Sequence, residues 1–163
     1  MDVDELIKAI PPSIRWLRIE RSKYLTEIGL RNLPVGLRGL YVDVGADFYQ
    51  TLGPVTKLPT TLTHLTLADP DAESNRCLNA RILNSLPRGL KSLEFIGIGC
   101  ASFYFFYSDQ SVIASFSSLT SLTLTALPKR LGEAHLPKLP DNLRRFIDLS
   151  PLSPLSFPPH TPL

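Results

Sequence analysis

The chain has 163 residues, 44% of them apolar and 20% charged, which is the balance of a globular protein with material for one core. Seventeen basic residues against fifteen acidic ones leave a net charge of +2, too even to argue for a dedicated nucleic-acid or membrane binder. The longest nearly uninterrupted apolar run, residues 95–107, falls short of the roughly 18–20 residues that span a bilayer, so no transmembrane segment is expected.

From the N-terminus, MDVDELIKAI is acidic and lacks the basic and apolar regions of a secretory signal. Residues 10–19 follow as IPPSIRWLRI, within a basic group of Arg15, Arg18, Arg21 and Lys23 that Glu20 dilutes. LPVGLRGLYV stands at 33–42, LPTTLTHLTL at 58–67 and LPRGLKSLEF at 86–95. A proline-free copy, SFSSLTSLTL, occupies 115–124; LPDNLRRFID, at 139–148, puts Asp148 where an apolar residue is due. The shared pattern is L-P-x-x-L-x-x-L-x-L, recurring every 23–29 residues.

The end of the pattern alternates apolar and other residues, which predicts a short strand. The leading L-P predicts a corner, because proline fixes φ and cannot extend a helix. One such strand is too short to hold alone, but beside its copies it gains a hydrogen-bond ladder and an apolar row. The chain between strands returns along the other side. Its expected inward residues are Leu25, Ile28, Leu30, Phe48, Leu52, Leu78, Ile82, Leu83, Val112, Ile113, Phe116, Leu131 and Leu136. Of these return segments, 79–85 is expected to form a helical turn. The others contain Gly or Pro and are expected to be irregular.

The segments resemble leucine-rich repeats, and the L-P lead-in is similar to the short LP-containing branch found in bacterial effectors and some protist proteins. The resemblance covers about residues 6–150. It implies an α/β-type leucine-rich-repeat solenoid of about six repeats, right-handed and curved. Short parallel strands would form a concave sheet, with irregular or short helical convex segments. The family asparagine would fall at Ser22, Gly45, Pro70, Ile98, Leu127 and Pro151, so that ladder is missing. The domain reading is a solenoid over 1–150 and a proline-rich tail over 151–163.

Residues between the strand leucines face away from the core. One row reads Trp16, Gly39, His64, Ser92, Ser121, Arg145; the next reads Arg18, Tyr41, Thr66, Glu94, Thr123, Ile147. The third reads Glu20, Asp43, Ala68, Ile96, Thr125, Leu149. Trp, Tyr and Arg are enriched in interface hot spots, so the candidate partner-binding residues are Trp16, Arg18, Glu20, Tyr41, Asp43, His64 and Glu94. Two readings stand for Trp16, a ligand contact or a lid over the open first coil. A solvated sheet face is the plain alternative for Arg18, Tyr41, Asp43 and Glu94.

Residues 103–107 (FYFFY) read as core packing or as an exposed contact patch. The tail, PLSPLSFPPHTPL, has five prolines in thirteen residues and reads as a loose terminus or a polyproline II ligand. Cys77 and Cys100 form no CxxC pair and no metal spacing with His64, His135 or His160, which fits reduced thiols and a cytoplasmic location. Gly97-Ile98-Gly99 reads as a turn, and no nucleophile elbow, phosphate loop or zinc motif occurs. A trio of His64, Asp43 and Ser92 on neighbouring strands is geometrically conceivable but lacks an oxyanion hole.

The expectation is therefore a non-catalytic protein-interaction module without a cofactor, binding a protein partner on the concave face. The alternatives are a fragment or remnant of a longer repeat protein, self-associating through an uncapped end, or a substrate-recognition adaptor such as that of a ubiquitin ligase.

Overall fold

The computed structural model describes residues 3–20, 25–43, 58–68, 80–97, 110–124 and 139–148. Every copy of the motif ends in a strand: β1 (Trp16–Ile19), β2 (Gly39–Asp43), β3 (His64–Ala68), β4 (Ser92–Ile96), β5 (Ser121–Leu124) and β6 (Arg145–Asp148). They form one six-stranded sheet in sequential order, and every pairing is parallel. The register never slips. Leu17, Leu40, Leu65, Leu93, Leu122 and Phe146 stand in one line across the sheet.

The corner before each strand has a common construction. The carbonyls of Pro11, Pro34, Pro59, Pro87 and Pro140 accept hydrogen bonds from the N–H groups of Ile14, Leu37, Leu62, Leu90 and Leu143. In the proline-free copy Phe116 takes that place, its carbonyl accepting from Leu119 at 2.9 Å. Proline suits a buried corner because it brings no N–H that would need a partner there. Pro34 and Pro87 are buried in this way.

Adjoining copies are tied just ahead of the strands. The carbonyls of Arg15, Arg38, Thr63, Lys91 and Thr120 each accept two N–H groups from the next copy, at 2.8–3.0 Å. Side chains reinforce this seam. The Thr61 hydroxyl lies 2.7 Å from the Val35 carbonyl and 2.8 Å from that of Leu37. Asn142 Nδ2 donates to the Ser117 carbonyl at 2.7 Å. Thr63 and Thr120 donate to the carbonyls of Arg38 and Lys91, both at 3.1 Å. The side-chain hydrogen bonds of this seam thus lie ahead of the strand, whereas the expected asparagine positions behind it fall outside the described residues.

The return segments depart from expectation. Besides a helix at Ala80–Ser85 there are helices at Val3–Lys8, Glu27–Arg31 and Gln110–Ala114; in chain order we label them α1 (Val3–Lys8), α2 (Glu27–Arg31), α3 (Ala80–Ser85) and α4 (Gln110–Ala114). Irregularity was expected of the segments that hold α2 and α4, and the reason it failed is clearest in α2, which contains Gly29. Thr26 caps α2, its hydroxyl accepting from Ile28 N–H at 3.1 Å, and Asn32 Nδ2 closes it on the Ile28 carbonyl at 2.7 Å. Glu27 and Arg31 pair one turn apart on its surface. Good caps outweigh one glycine in so short a helix.

Gly29 has a further use. A Cβ there would stand 2.7 Å from Leu25 Cδ1 and closer still to Asp4 Oδ1. Asp4, on α1, is 6% exposed and accepts from the Thr26 N–H at 3.1 Å and from the Thr26 hydroxyl. Glycine lets α1 and α2 approach until this carboxylate sits on the cap of the second helix. The sequence reading contained no sign of that joint.

The core lies on one side of the sheet. Leu37, Leu62, Leu90, Leu93, Val42, Leu67, Phe95, Ile113, Phe116 and Leu119 show no exposed surface. Each leucine so buried stabilises the fold by roughly 1.5–3 kcal/mol relative to an exposed one. The equivalent residues of the first and last copies, Ile14, Leu17, Leu143 and Phe146, are only partly buried, because each has one neighbouring copy rather than two.

Two orientations differ from the sequence reading. Ile28, expected inward, is 57% exposed, since the short α2 turns Gly29 and Leu30 to the core instead. Ala68, expected on the open face, is 4% exposed. A methyl group is too short to rise above its neighbours Asp43 and Ile96, which flank it on the adjacent strands. Gly97 follows β4 with φ of 66°, a backbone conformation that glycine adopts without strain; Ile98 and Gly99 of the turn read from the sequence lie outside the described residues.

Several expectations fall on residues outside those described: Arg21, Lys23, Phe48, Leu52, Cys77, Leu78, Cys100, Thr125, Leu131, Leu136, Leu149, the FYFFY run and the tail. The Ile82 and Asp148 side chains do as well. Among the described residues no helix is long and apolar enough to cross a membrane.

Candidate functional site

The face opposite the core carries the predicted rows, and the register places them as read. Trp16, Gly39, His64, Ser92, Ser121 and Arg145 are successive partners, as are Arg18, Tyr41, Thr66, Glu94, Thr123 and Ile147. Their assembly into a site depends on which side chains cross the gaps between strands.

Trp16 crosses two. It starts on the edge strand β1, its ring lies over Gly39 of β2, and it meets the His64 ring of β3 at a centroid distance of 5.0 Å and a tilt of 47°. The missing side chain of Gly39 makes the space: a Cβ there would stand 2.7 Å from Trp16 Cδ2 and closer to Cε3 and Cζ3. Trp16 therefore leans inward across the sheet rather than outward over the first coil, and it is still 63% exposed. Of the two readings of this residue, the lid over the open coil does not describe where the ring lies. His64 is fixed from its other side, with Nδ1 2.9 Å from the Thr63 hydroxyl.

Arg18 forms the second part. Its guanidinium carbon lies 4.0 Å above the centre of the Tyr41 ring, while Nε donates to Glu20 Oε1 at 2.7 Å. Each contact is modest, about 0.5–1 kcal/mol for an exposed cation–π pair and about 0.2–1 kcal/mol for an exposed ion pair. Together they hold a long side chain in one place. Trp16, Arg18, Tyr41, His64 and Thr66 surround a shallow depression of about 300 Å³, with Leu17, Gly39 and Leu40 completing its lining.

The other candidates stand apart. Glu94, on β4, accepts from the Thr66 hydroxyl at 3.1 Å and so extends the patch by one strand. Glu20 joins it only through Arg18. Asp43 is half-buried at the far end of β2, paired in register with Ala68, while Gly39 at the near end pairs with His64. Four residues of strand separate Asp43 from the His64 level, about 13 Å at 3.3 Å per residue. The conceivable His64–Asp43–Ser92 trio therefore does not assemble.

Gly39 and Thr66 belong to the site although they were not among its candidates. The signal for Gly39 was present in the row itself, where the side chain missing between Trp16 and His64 leaves a gap an indole fills. Among the described residues no group of three His, Cys, Asp or Glu side chains gathers in a way that could hold a metal ion. The chain matches no family model, no curated protein and no solved structure.

Proposed function

We propose that the parallel sheet is the strand layer of a leucine-rich-repeat solenoid, and that the chain is a non-catalytic protein-interaction module working in the cytoplasm. The strand order and unbroken register support the solenoid, because each position of the motif recurs at one level of the sheet. In this reading another protein docks on the face that carries Trp16, Arg18, Tyr41, His64 and Glu94.

The observation that carries the reading is the Trp16 ring, 63% exposed yet supported beneath by Gly39 and beside by His64. A large apolar ring already held in place loses little freedom on binding, which is what makes rigid aromatic and arginine side chains effective anchors. Arg18, fixed between Glu20 and the Tyr41 ring, adds a directed cation beside it.

The test is an affinity capture from native lysate read by mass spectrometry. Wild type runs beside a Trp16→Ala/Tyr41→Ala variant, with circular dichroism showing both folded. The expected result is a protein captured by wild type and lost with the variant. If the two folded proteins capture the same set, the face is not the docking site.

A further inference from the structure

The residue just ahead of each strand forms a row of its own: Arg15, Arg38, Thr63, Lys91, Thr120 and Arg144. These positions are structurally equivalent, since the carbonyls of the first five accept the hydrogen bonds that tie each copy to the next and the Arg144 N–H donates in the last of them. The threonines stay low, with their hydroxyls turned onto the carbonyls of Arg38 and Lys91. The four cations are exposed. Arg15 is engaged, donating to the Pro12 carbonyl at 3.3 Å and lying over Gly36. The side chains of Arg38, Lys91 and Arg144 make no hydrogen bond or ion pair among the described residues.

Those three free cations are evenly spaced. Two strand-to-strand spacings separate each from the next, about 9.6 Å at 4.8 Å per spacing. Arg88, Arg145 and Arg15 add positive charge within the same turns and strand starts, and the single carboxylate there is Asp141. The strand starts are thus predominantly cationic, while Glu20 follows β1, Asp43 ends β2 and Glu94 stands at mid-strand in β4. The even overall charge hides this.

We propose that the Arg38–Lys91–Arg144 row binds an acidic segment of another protein in the polyproline II conformation, with a carboxylate at every third residue. A polyproline II helix has three residues per turn and rises 3.1 Å per residue, so one face repeats about every 9.3 Å. That matches the spacing of the cations to about 0.3 Å per step, well within the reach of Arg and Lys side chains. A fully extended strand repeats one face every 6.6–6.8 Å and falls out of phase after one step. Carboxylates suit the row because Arg receives them with two parallel hydrogen bonds and Lys as a point charge. The chain's own tail is rich in proline but contains no Asp or Glu from residue 151 to 163, so it is not the occupant. This inference stands on the row alone and does not need the Trp16 patch to be occupied.

The test uses the full chain and fluorescence anisotropy. The probe is a labelled peptide of four Glu-Pro-Pro units; the comparison peptide has the same composition, with its four glutamates at alternate positions over one stretch and the remaining prolines after them. The Glu-Pro-Pro peptide is expected to bind, to bind more tightly than its isomer, and to weaken with added salt as exposed charges are screened over about 10 Å at 0.1 M. The Arg38→Glu/Lys91→Glu/Arg144→Glu variant should lose affinity by roughly tenfold or more, since charge reversal adds repulsion to the lost attraction. The milder Arg38→Gln/Lys91→Gln/Arg144→Gln variant should lose less. Circular dichroism establishes that each is folded. The Trp16→Ala/Tyr41→Ala variant should keep the peptide. No binding, equal binding of the two isomers, or undiminished binding by the reversed variant would overturn the proposal. So would loss of the peptide with Trp16→Ala/Tyr41→Ala alone, or a short oligothymidylate held more tightly through the same three cations.

Discussion

Substituting alanine for Gly39 tests how the proposed docking face is built. The new Cβ would stand 2.7 Å from Trp16 Cδ2 and nearer to two other ring carbons. Carbon atoms rest at about 3.5–4.0 Å, so the indole has to retreat by about 1 Å or more and leave the His64 ring. The part of Trp16 now covered is what the 63% exposure leaves, roughly 90 Å² of a side chain of ~250 Å². At ~25 cal/mol per Å² that cover is worth ~2 kcal/mol, an upper bound because part of it comes from the adjoining chain. Alanine regains about 0.5–1 kcal/mol over glycine within a strand. The net loss is about 1 kcal/mol, a fall in Tm of roughly 2–4 °C for a chain of this size. Trp16 is the only tryptophan, so its fluorescence reports this one ring. The folded variant should show red-shifted emission and stronger acrylamide quenching, and a subsequent His64→Ala change should no longer alter the emission. Unchanged emission and quenching in a folded Gly39→Ala protein would refute the account of how the ring is held.

Other perturbations test the joints and the core. Asp4→Ala removes the acceptor from the Thr26 N–H and hydroxyl and should destabilise the fold by about 1–3 kcal/mol in denaturant titrations. Gly29→Ala should cost about 1–3 kcal/mol by forcing that same carboxylate aside, and it should add little to Asp4→Ala because the two share one site. Phe95→Ala, at a side chain with no exposed surface, should cost about 3–5 kcal/mol, seen as a lower denaturation midpoint. Ile28→Ala should change stability by about 0.5 kcal/mol or less, since that side chain is 57% exposed; a loss as large as that of Leu30→Ala would contradict the orientation of α2.

The sequence by itself determined where the strands begin, how they stack and which side of each is buried. This worked because L-P-x-x-L-x-x-L-x-L combines a proline corner with period-two alternation, and both are local. Once six copies lie side by side, a row across the sheet follows from arithmetic, and so Trp16, Gly39 and His64 were legible as neighbours. The tertiary structure decided how those neighbours meet. The lean of Trp16 over Gly39 toward β3, the stacking of Arg18 on Tyr41 and the distance of Asp43 from His64 depend on rotamers and on position along the strand, which a repeat pattern does not encode. It also decided the joint of Asp4 with Thr26 and Gly29, made between Asp4 and residues 22 or more positions away and outside the ten-residue motif. The cation row shows the same division. Arg38, Lys91 and Arg144 are visible in the letters. Their two-strand spacing follows from the sheet, because hydrogen bonds between parallel strands fix the distance from each copy to the next.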